Sequence, residues 1–140
     1  MSEEQERVSR VLKDFMVAMR EWETRYHTDQ MALLESDDDT SDCDASYSSA
    51  LRGIFNKFAI PDDRTWARLV DLGCGNPPTY DPDRDIVGNP EISGASYSVV
   101  VEQTSRLRAV YRFFFEKTGD DWKIAKKETN SNGKWKKTGL

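Results

Sequence analysis

The spacing of apolar residues changes once along this chain, and that change restricts the fold more than any other feature. Up to about residue 60, apolar side chains recur every three or four positions, which is the spacing of one face of an α-helix. From residue 96 onward they alternate within β-branched and aromatic runs, as strands do. Helices followed by a run of strands predict an α+β protein, with the helices packed on one face of a curved, mainly antiparallel sheet.

The helical part contains two stretches separated by an acidic segment. Ser2 and Gln5 have the spacing of a capping box, and a stripe of roughly six turns follows. The stripe consists of Val8, Val11, Leu12, Phe15, Met19, Trp22 and Tyr26. Residues 35–48 hold Glu35 and five aspartates among Ser and Thr, which predicts an exposed loop or a frayed helix start. Helical spacing resumes at Tyr47 and ends at Pro61.

The rest of the chain predicts a short strand, loops and then a strand meander. Thr65 to Asp71 suits a short strand, and residues 73–78 are too rich in glycine and proline to continue it. Residues 79–95 read as loop. Strands are predicted over 96–104, 107–117 and 121–129, and the breaks between them are short enough for antiparallel hairpins. Asn132-Gly133 predicts one more turn before residues 134–137.

Length sets the expected organisation. We expect 140 residues to form a single domain, helical over 1–60, with a short strand and loops over 61–95 and the meander over 96–136. A sheet concave toward the helices gives a cone, and a cone can enclose a pocket.

Composition limits the classes of function. The net charge of -5 argues against a polyanionic partner such as nucleic acid and favours a basic one. No apolar run approaches the ~20 residues that a membrane span needs. The acidic start lacks the pattern of an export signal, so a cytoplasmic protein is expected. Cys43 and Cys74 have no Cys or His at metal-ligand spacing, so neither a metal nor a cofactor is predicted.

One string resembles an enzyme motif. Residues 69–75 are similar to the first motif of methyltransferases that bind S-adenosylmethionine. In that fold the glycine-rich turn follows a strand, opens a helix, and is completed by an acidic residue about 20 positions on. Here Pro77, Pro78 and Pro82 oppose a helix, and too little chain remains for parallel crossovers. We therefore predict no such enzyme.

A different resemblance covers most of the chain. Its strings are Pro77-Pro78-Thr79-Tyr80-Asp81, Val110-Tyr111-Arg112-Phe113 and Asp121-Trp122-Lys123-Ile124, with Arg64, Arg68, Leu72 and Gly75 before them. Together with the long leading helix, they resemble the immunity proteins of bacterial polymorphic (Rhs-type) toxin systems with the nuclear transport factor 2-like, or cystatin-like, cone. The first string is moderately specific, and the other two are shared with related folds. The acidic segment at 37–44 has no counterpart in the family pattern.

The resemblance implies a protein that binds and neutralises a cognate toxin encoded next to it. On this reading, Asp37, Asp38, Asp39, Asp42 and Asp44 steer association with a basic toxin groove. The alternative for this cluster is a solvated loop. Aromatic and turn residues complete the predicted toxin contacts: Tyr47, Tyr80, Asp81 and Trp135. Homodimerisation stays open.

The rival interpretation is a small-molecule binder or an isomerase-like enzyme. Scytalone dehydratase and ketosteroid isomerase have related folds, and their chemistry needs a positioned acid or base inside the cone. The sole histidine, His27, is expected at a helix end as a solvated or capping residue. Asp71 and Asp81 could face the pocket, but no pair of carboxylates and no nucleophile with a base can be named. Stoichiometric inhibition without catalysis is therefore predicted.

Overall fold

The computed structural model describes residues 1–70, 72–73, 78–104 and 108–140. Within them, the helices are α1 (Glu3–Glu35), α2 (Ser41–Phe58) and α3 (Asp63–Val70). The strands are β1 (Ile86–Val87), β2 (Glu91–Ser93), β3 (Ser96–Glu102), β4 (Val110–Thr118), β5 (Asp121–Ser131) and β6 (Lys134–Thr138). The α+β class, with helices on an antiparallel sheet, is confirmed.

Helix α1 begins as predicted and runs further than predicted. Ser2 and Gln5 form the reciprocal capping box, and the helix then continues for 33 residues, about 50 Å. Its last buried residue is Tyr26, so α1 extends beyond the core by roughly 13 Å before it ends at Glu35. His27 therefore lies within α1 rather than at its end.

Residues 35–48, predicted as an exposed loop or a frayed helix start, are mostly helix. Only residues 36–40 connect α1 to α2, and Asp42 and Asp44 lie in the first turn of α2. Carboxylates are favoured there because the N-terminus of a helix carries a partial positive charge. The backbone N–H and the hydroxyl of Ser41 both donate to Asp39, which helps to start the helix six residues before Tyr47.

The strand predicted over Thr65 to Asp71 was wrong, since residues Asp63–Val70 form α3. Asp62 Oδ1 accepts hydrogen bonds from the Thr65 N–H (3.0 Å) and the Thr65 hydroxyl (3.1 Å). This is the pattern of a helix N-cap after a proline. Thr65 and Leu69 are the buried residues of α3, one turn apart. Asp71 lies outside the described residues.

The predicted meander is confirmed. Strands β3, β4, β5 and β6 pair in sequence order, every pair antiparallel, and β1 and β2 both pair with β3. Asn132 and Gly133 have positive φ (53° and 80°) at the last turn. The segment 79–95 is not wholly loop, because it contains β1 and β2. The chain around the predicted break at Ser105-Arg106 lies outside the described residues.

Aromatic side chains fill the space between the helices and the sheet. The ring of Phe15 in α1 meets those of Phe58, Tyr80 and Phe113 at centroid distances of 6.0, 5.4 and 6.4 Å. Phe113 and Phe115 face this interior, whereas Arg112 and Phe114 alternate to the opposite face of the sheet. Each large buried side chain contributes about 1.5–3 kcal/mol. Among the described residues, this part of the interior, where a pocket was expected, is therefore packed.

Candidate functional site

The acidic residues singled out in the sequence converge on one end of the helical layer. We call residues 27–46 the acidic tip; it comprises the part of α1 beyond Tyr26, the connection, and the start of α2. Between Arg25 and Arg52 the chain has seven acidic residues and no Lys or Arg. Among the described residues, no Lys or Arg forms an ion pair with these seven carboxylates. The tip therefore carries charge of one sign.

The five predicted aspartates divide into two groups. Asp44 accepts a hydrogen bond of 2.7 Å from the Tyr26 hydroxyl and one of 3.3 Å from Thr40. Asp39 accepts from the N–H and the hydroxyl of Ser41, and these bonds lower the pKa of Asp39. Asp37, Asp38 and Asp42 have exposed side chains. Two of the five thus make hydrogen bonds within the tip; Asp39 is exposed like Asp37, Asp38 and Asp42, and only Asp44 is partly buried.

Tyr47 joins the two helices of the tip. Its hydroxyl donates to Asp29 in α1, and its carbonyl accepts a 2.8 Å hydrogen bond from the Trp22 indole. The rings of Trp22, Tyr26 and Tyr47 are in mutual contact, at centroid distances of 5.1–6.3 Å. The hydrogen bond to Asp29 is the main cause that raises the pKa of Tyr47 to about 12. These contacts hold α1 and α2 in one arrangement.

Tyr80 and Asp81 lie elsewhere, in the loop that follows the glycine- and proline-rich string. Tyr80 is 1% exposed, and its hydroxyl accepts a 2.8 Å hydrogen bond from Lys127 Nζ. Asp81 pairs with Arg20 of α1 at 3.2 Å, and Arg20 also contacts Asp83 at 2.7 Å. These side chains attach the loop to the body of the protein, so the ring of Tyr80 contacts only the protein's own interior.

Sequence reasoning missed a buried charged cluster beside Tyr80. Glu23 is 1% exposed, accepts a 2.5 Å hydrogen bond from the Thr79 N–H, and lies 3.7 Å from Arg68. Lys127 is 5% exposed, and burial, with a smaller effect of Arg68, lowers its pKa to about 7. The signal that could have found these residues is their position in the helix and strand repeats. Glu23 follows Trp22 on the apolar face of α1, and Lys127 pairs with inward-facing Phe113.

The charged cluster is satisfied within the chain. Among the described residues, every buried side-chain nitrogen or oxygen has a hydrogen-bond partner. Gln103 completes the arrangement by donating a 2.8 Å hydrogen bond to the Thr79 carbonyl. Glu23 and Lys127 thus hold the loop in place. No buried polar side-chain atom of the described residues is left for a ligand to satisfy.

Trp135 lies on the face of the sheet turned away from the helices. Its ring is half-buried, and the Arg112 guanidinium lies 4.3 Å from its centroid. Arg112 also forms a 2.7 Å ion pair with Glu128 and contacts the ring of Phe114. The fold therefore separates Trp135 from the acidic tip, and the predicted toxin contacts do not form one surface.

The described residues show neither a metal cluster nor a membrane helix. Over residues 1–70, 72–73, 78–104 and 108–140, no group of three or more His, Cys, Asp or Glu side chains could hold a metal ion. No helix in those ranges is long and apolar enough to cross a bilayer. Cys74, like most of the glycine-rich string, lies outside them.

Comparison with known proteins identifies the family. The family model described as NTF2 fold immunity protein matches residues 7–139. Immunity protein RhsIA of Dickeya dadantii (strain 3937) is 29% identical over 136 residues, which cover 96% of each chain. No solved structure matches the chain. The family match spans nearly the whole sequence, and the chain belongs to the NTF2 fold immunity proteins.

Proposed function

We propose that this immunity protein neutralises its cognate toxin in the cytoplasm by stoichiometric binding through the acidic tip, without catalysis. The observation that carries the proposal is the stretch between Arg25 and Arg52, where seven acidic residues occur with no Lys or Arg. A surface of one charge sign attracts a partner of the opposite sign and raises its rate of association. The toxin surface is accordingly basic.

The rigidity of the tip supports the same proposal. Tyr26 donates to Asp44, Tyr47 donates to Asp29, and Trp22 donates to the Tyr47 carbonyl. Two helices held in one arrangement before binding lose less conformational entropy when the complex forms. Asp37, Asp38 and Asp42 make the direct contacts in this proposal, with Asp39, Asp44 and Tyr47 behind them. Tyr80, Asp81 and Trp135 lie outside the interface.

The interior supports a binding protein rather than an enzyme. The ring of Phe15 packs against those of Tyr80 and Phe113 between the helices and the sheet, and Glu23 and Lys127 contact the protein's own loop. An acid or base that serves a reaction needs access to a bound molecule. Neither group has that access here.

The first experiment is co-expression. We expect the toxin to be the product of the reading frame immediately upstream of the immunity gene, and this protein to restore the growth of cells that express it. The purified pair should form a 1:1 complex by size-exclusion chromatography with light scattering. Loss of growth despite soluble expression of both proteins would overturn the proposal.

The second experiment tests the tip. Replacement of Asp37, Asp38 and Asp42 by Asn should slow association by about tenfold at low salt, with a smaller effect at high salt. Asn tolerates the positive φ of 55° at position 37. The matched control is E91Q/E116Q/D120N, which removes three exposed carboxylates outside the tip. Equal association rates for the two triple variants would remove the tip from the interface.

A further inference from the structure

Two large apolar side chains of the tip are exposed. Met31 is 41% exposed and Leu34 is 54% exposed, both on α1 beyond its last buried residue, Tyr26. Residues three apart in a helix lie on the same face, so these two form one apolar patch. Leaving apolar surface in water is unfavourable, and the patch gains free energy if a partner covers it.

The surroundings of this patch indicate what kind of partner covers it. The other exposed large apolar residues of the described chain lie outside the tip: Met1, Trp66, Val70, Ile86, Val87, Ile92 and Val100. One of them, Trp66, has a basic neighbour, since the Arg52 guanidinium lies 5.3 Å from its ring centroid. The charged residues nearest to Met31 and Leu34 in the sequence are all acidic, namely Asp29, Glu35, Asp37 and Asp38. The complementary surface is an apolar pocket rimmed by Lys and Arg.

We propose that Met31 and Leu34 anchor the acidic tip in an apolar pocket on a basic surface of the toxin. The inference rests on the proposed function and assigns the two kinds of side chain different effects. Long-range attraction by the carboxylates sets the association rate, whereas short-range burial of the two apolar side chains sets the dissociation rate. Met suits such a site because its flexible thioether adapts to an irregular pocket.

The test is M31A/L34A, measured by surface plasmon resonance against the purified toxin. Ala is the best helix former, so α1 is retained, which circular dichroism checks. We expect a Kd at least tenfold higher, caused by faster dissociation, with an association rate within twofold of wild type and an unchanged salt dependence. Met31→Gln, which keeps the length and helix preference of the side chain, should show the same kind of loss.

The control is V70A/I92A, which truncates side chains that are 88% and 73% exposed outside the tip. A control effect equal to that of M31A/L34A would overturn the inference, as would an unchanged dissociation rate in M31A/L34A. If the aspartate variant still slows association, the proposed function survives that failure. No binding by the wild type would end both. Sedimentation of the wild type alone completes the test, because self-association abolished by M31A/L34A would assign the patch to a second copy.

Discussion

Glu23 and Lys127 hold the same loop from opposite layers of the fold. Glu23 accepts from the Thr79 backbone on the side of the helices, and Lys127 donates to the Tyr80 hydroxyl on the side of the sheet. Removing one partner of a buried charge leaves the other uncompensated, which costs about 3–5 kcal/mol in typical cases. The Thr79-Tyr80-Asp81 part of the family string therefore acts in folding, and it places Arg20, Glu23 and Lys127 around one loop.

The charge on Lys127 makes stability depend on pH. Its pKa is about 7 in the folded protein and 10.5 ordinarily, because burial and Arg68 oppose the charge more than Glu23 favours it. The Tyr80 hydroxyl and the Tyr111 ring also face it. Between pH 7 and 10.5 the unfolded chain binds the proton that the folded protein has lost, so the free energy of unfolding rises with pH. The rise is at most about 1.4 kcal/mol per pH unit.

Urea unfolding from pH 6.5 to 9.5 measures this effect. Lys127→Met removes the titrating group while keeping an apolar stem, so the variant should lose the slope that the wild type shows above pH 7. The matched substitution is Lys126→Met, whose side chain is 40% exposed and which should keep the slope. Parallel pH profiles for the wild type and Lys127→Met would contradict the assignment.

At the scale of elements, long periodic segments could be predicted from the sequence and short capped ones could not. The apolar stripe of α1 and the alternation in β3, β4 and β5 each extend over many residues, so burial dominates local preference. In α3 the residues Thr65, Trp66 and Val70 favour strand by composition, but the cap between Asp62 and Thr65 starts a helix. A cap depends on two residues, which leaves no periodic signal.

In the candidate site, groups of residues close in the sequence could be predicted, whereas contacts between residues far apart in the sequence could not. The acidic tip could be found because neighbours in sequence stay neighbours in a helical hairpin. The contacts of Glu23 with Thr79 and of Lys127 with Tyr80 join residues 56 and 47 positions apart, which only the tertiary fold brings together. Met31 and Leu34 were missed because Met31, five residues after Tyr26, falls outside the three- or four-residue spacing of the α1 stripe, and the stripe predicts the core but not an exposed patch.

Helix α2 contains a glycine that its own fold does not require. Gly53 lies within the helix, and a Cβ added there meets nothing within 4 Å. Gly53→Ala should therefore raise the free energy of unfolding by about 0.5–1 kcal/mol, since it reduces the freedom of the unfolded chain. Thermal melts check the sign. Gly94→Ala is the control, because Gly94 has φ +62° and the same substitution there should destabilise. A lower Tm for Gly53→Ala would show that α2 needs the glycine.

At the scale of the whole molecule, the net charge conceals a division between the two layers. Residues 1–70, which form the three helices, contain 15 acidic and 9 basic side chains, whereas residues 96–140, which form β3 to β6, contain 5 acidic and 10 basic ones. The helical part is therefore acidic and the meander is basic. Exposed lysines on the edge strand β6 also oppose pairing with other strands.

This division gives a prediction of opposite sign to that for the tip. Replacing Lys134 and Lys136 of β6 by Gln changes the net charge from -5 to about -7 without touching α1 or α2. Removing positive charge that repels a basic toxin should accelerate association, whereas the aspartate variant slows it. Both effects should shrink as salt rises, because charges more than about 10 Å apart are screened at 0.1 M. Stopped-flow fluorescence at 20 and 200 mM salt measures the rates.

The charge-conserving variant K134R/K136R separates the field from contact. It should associate at the wild-type rate, because it keeps the charge and changes only the shape of the side chains. Slower association of the Gln variant, together with faster dissociation of the Arg variant, would place β6 inside the interface. Faster association of the Gln variant with an unchanged dissociation rate is the result expected if β6 lies outside the interface, since β6 then acts on the toxin only through its charge.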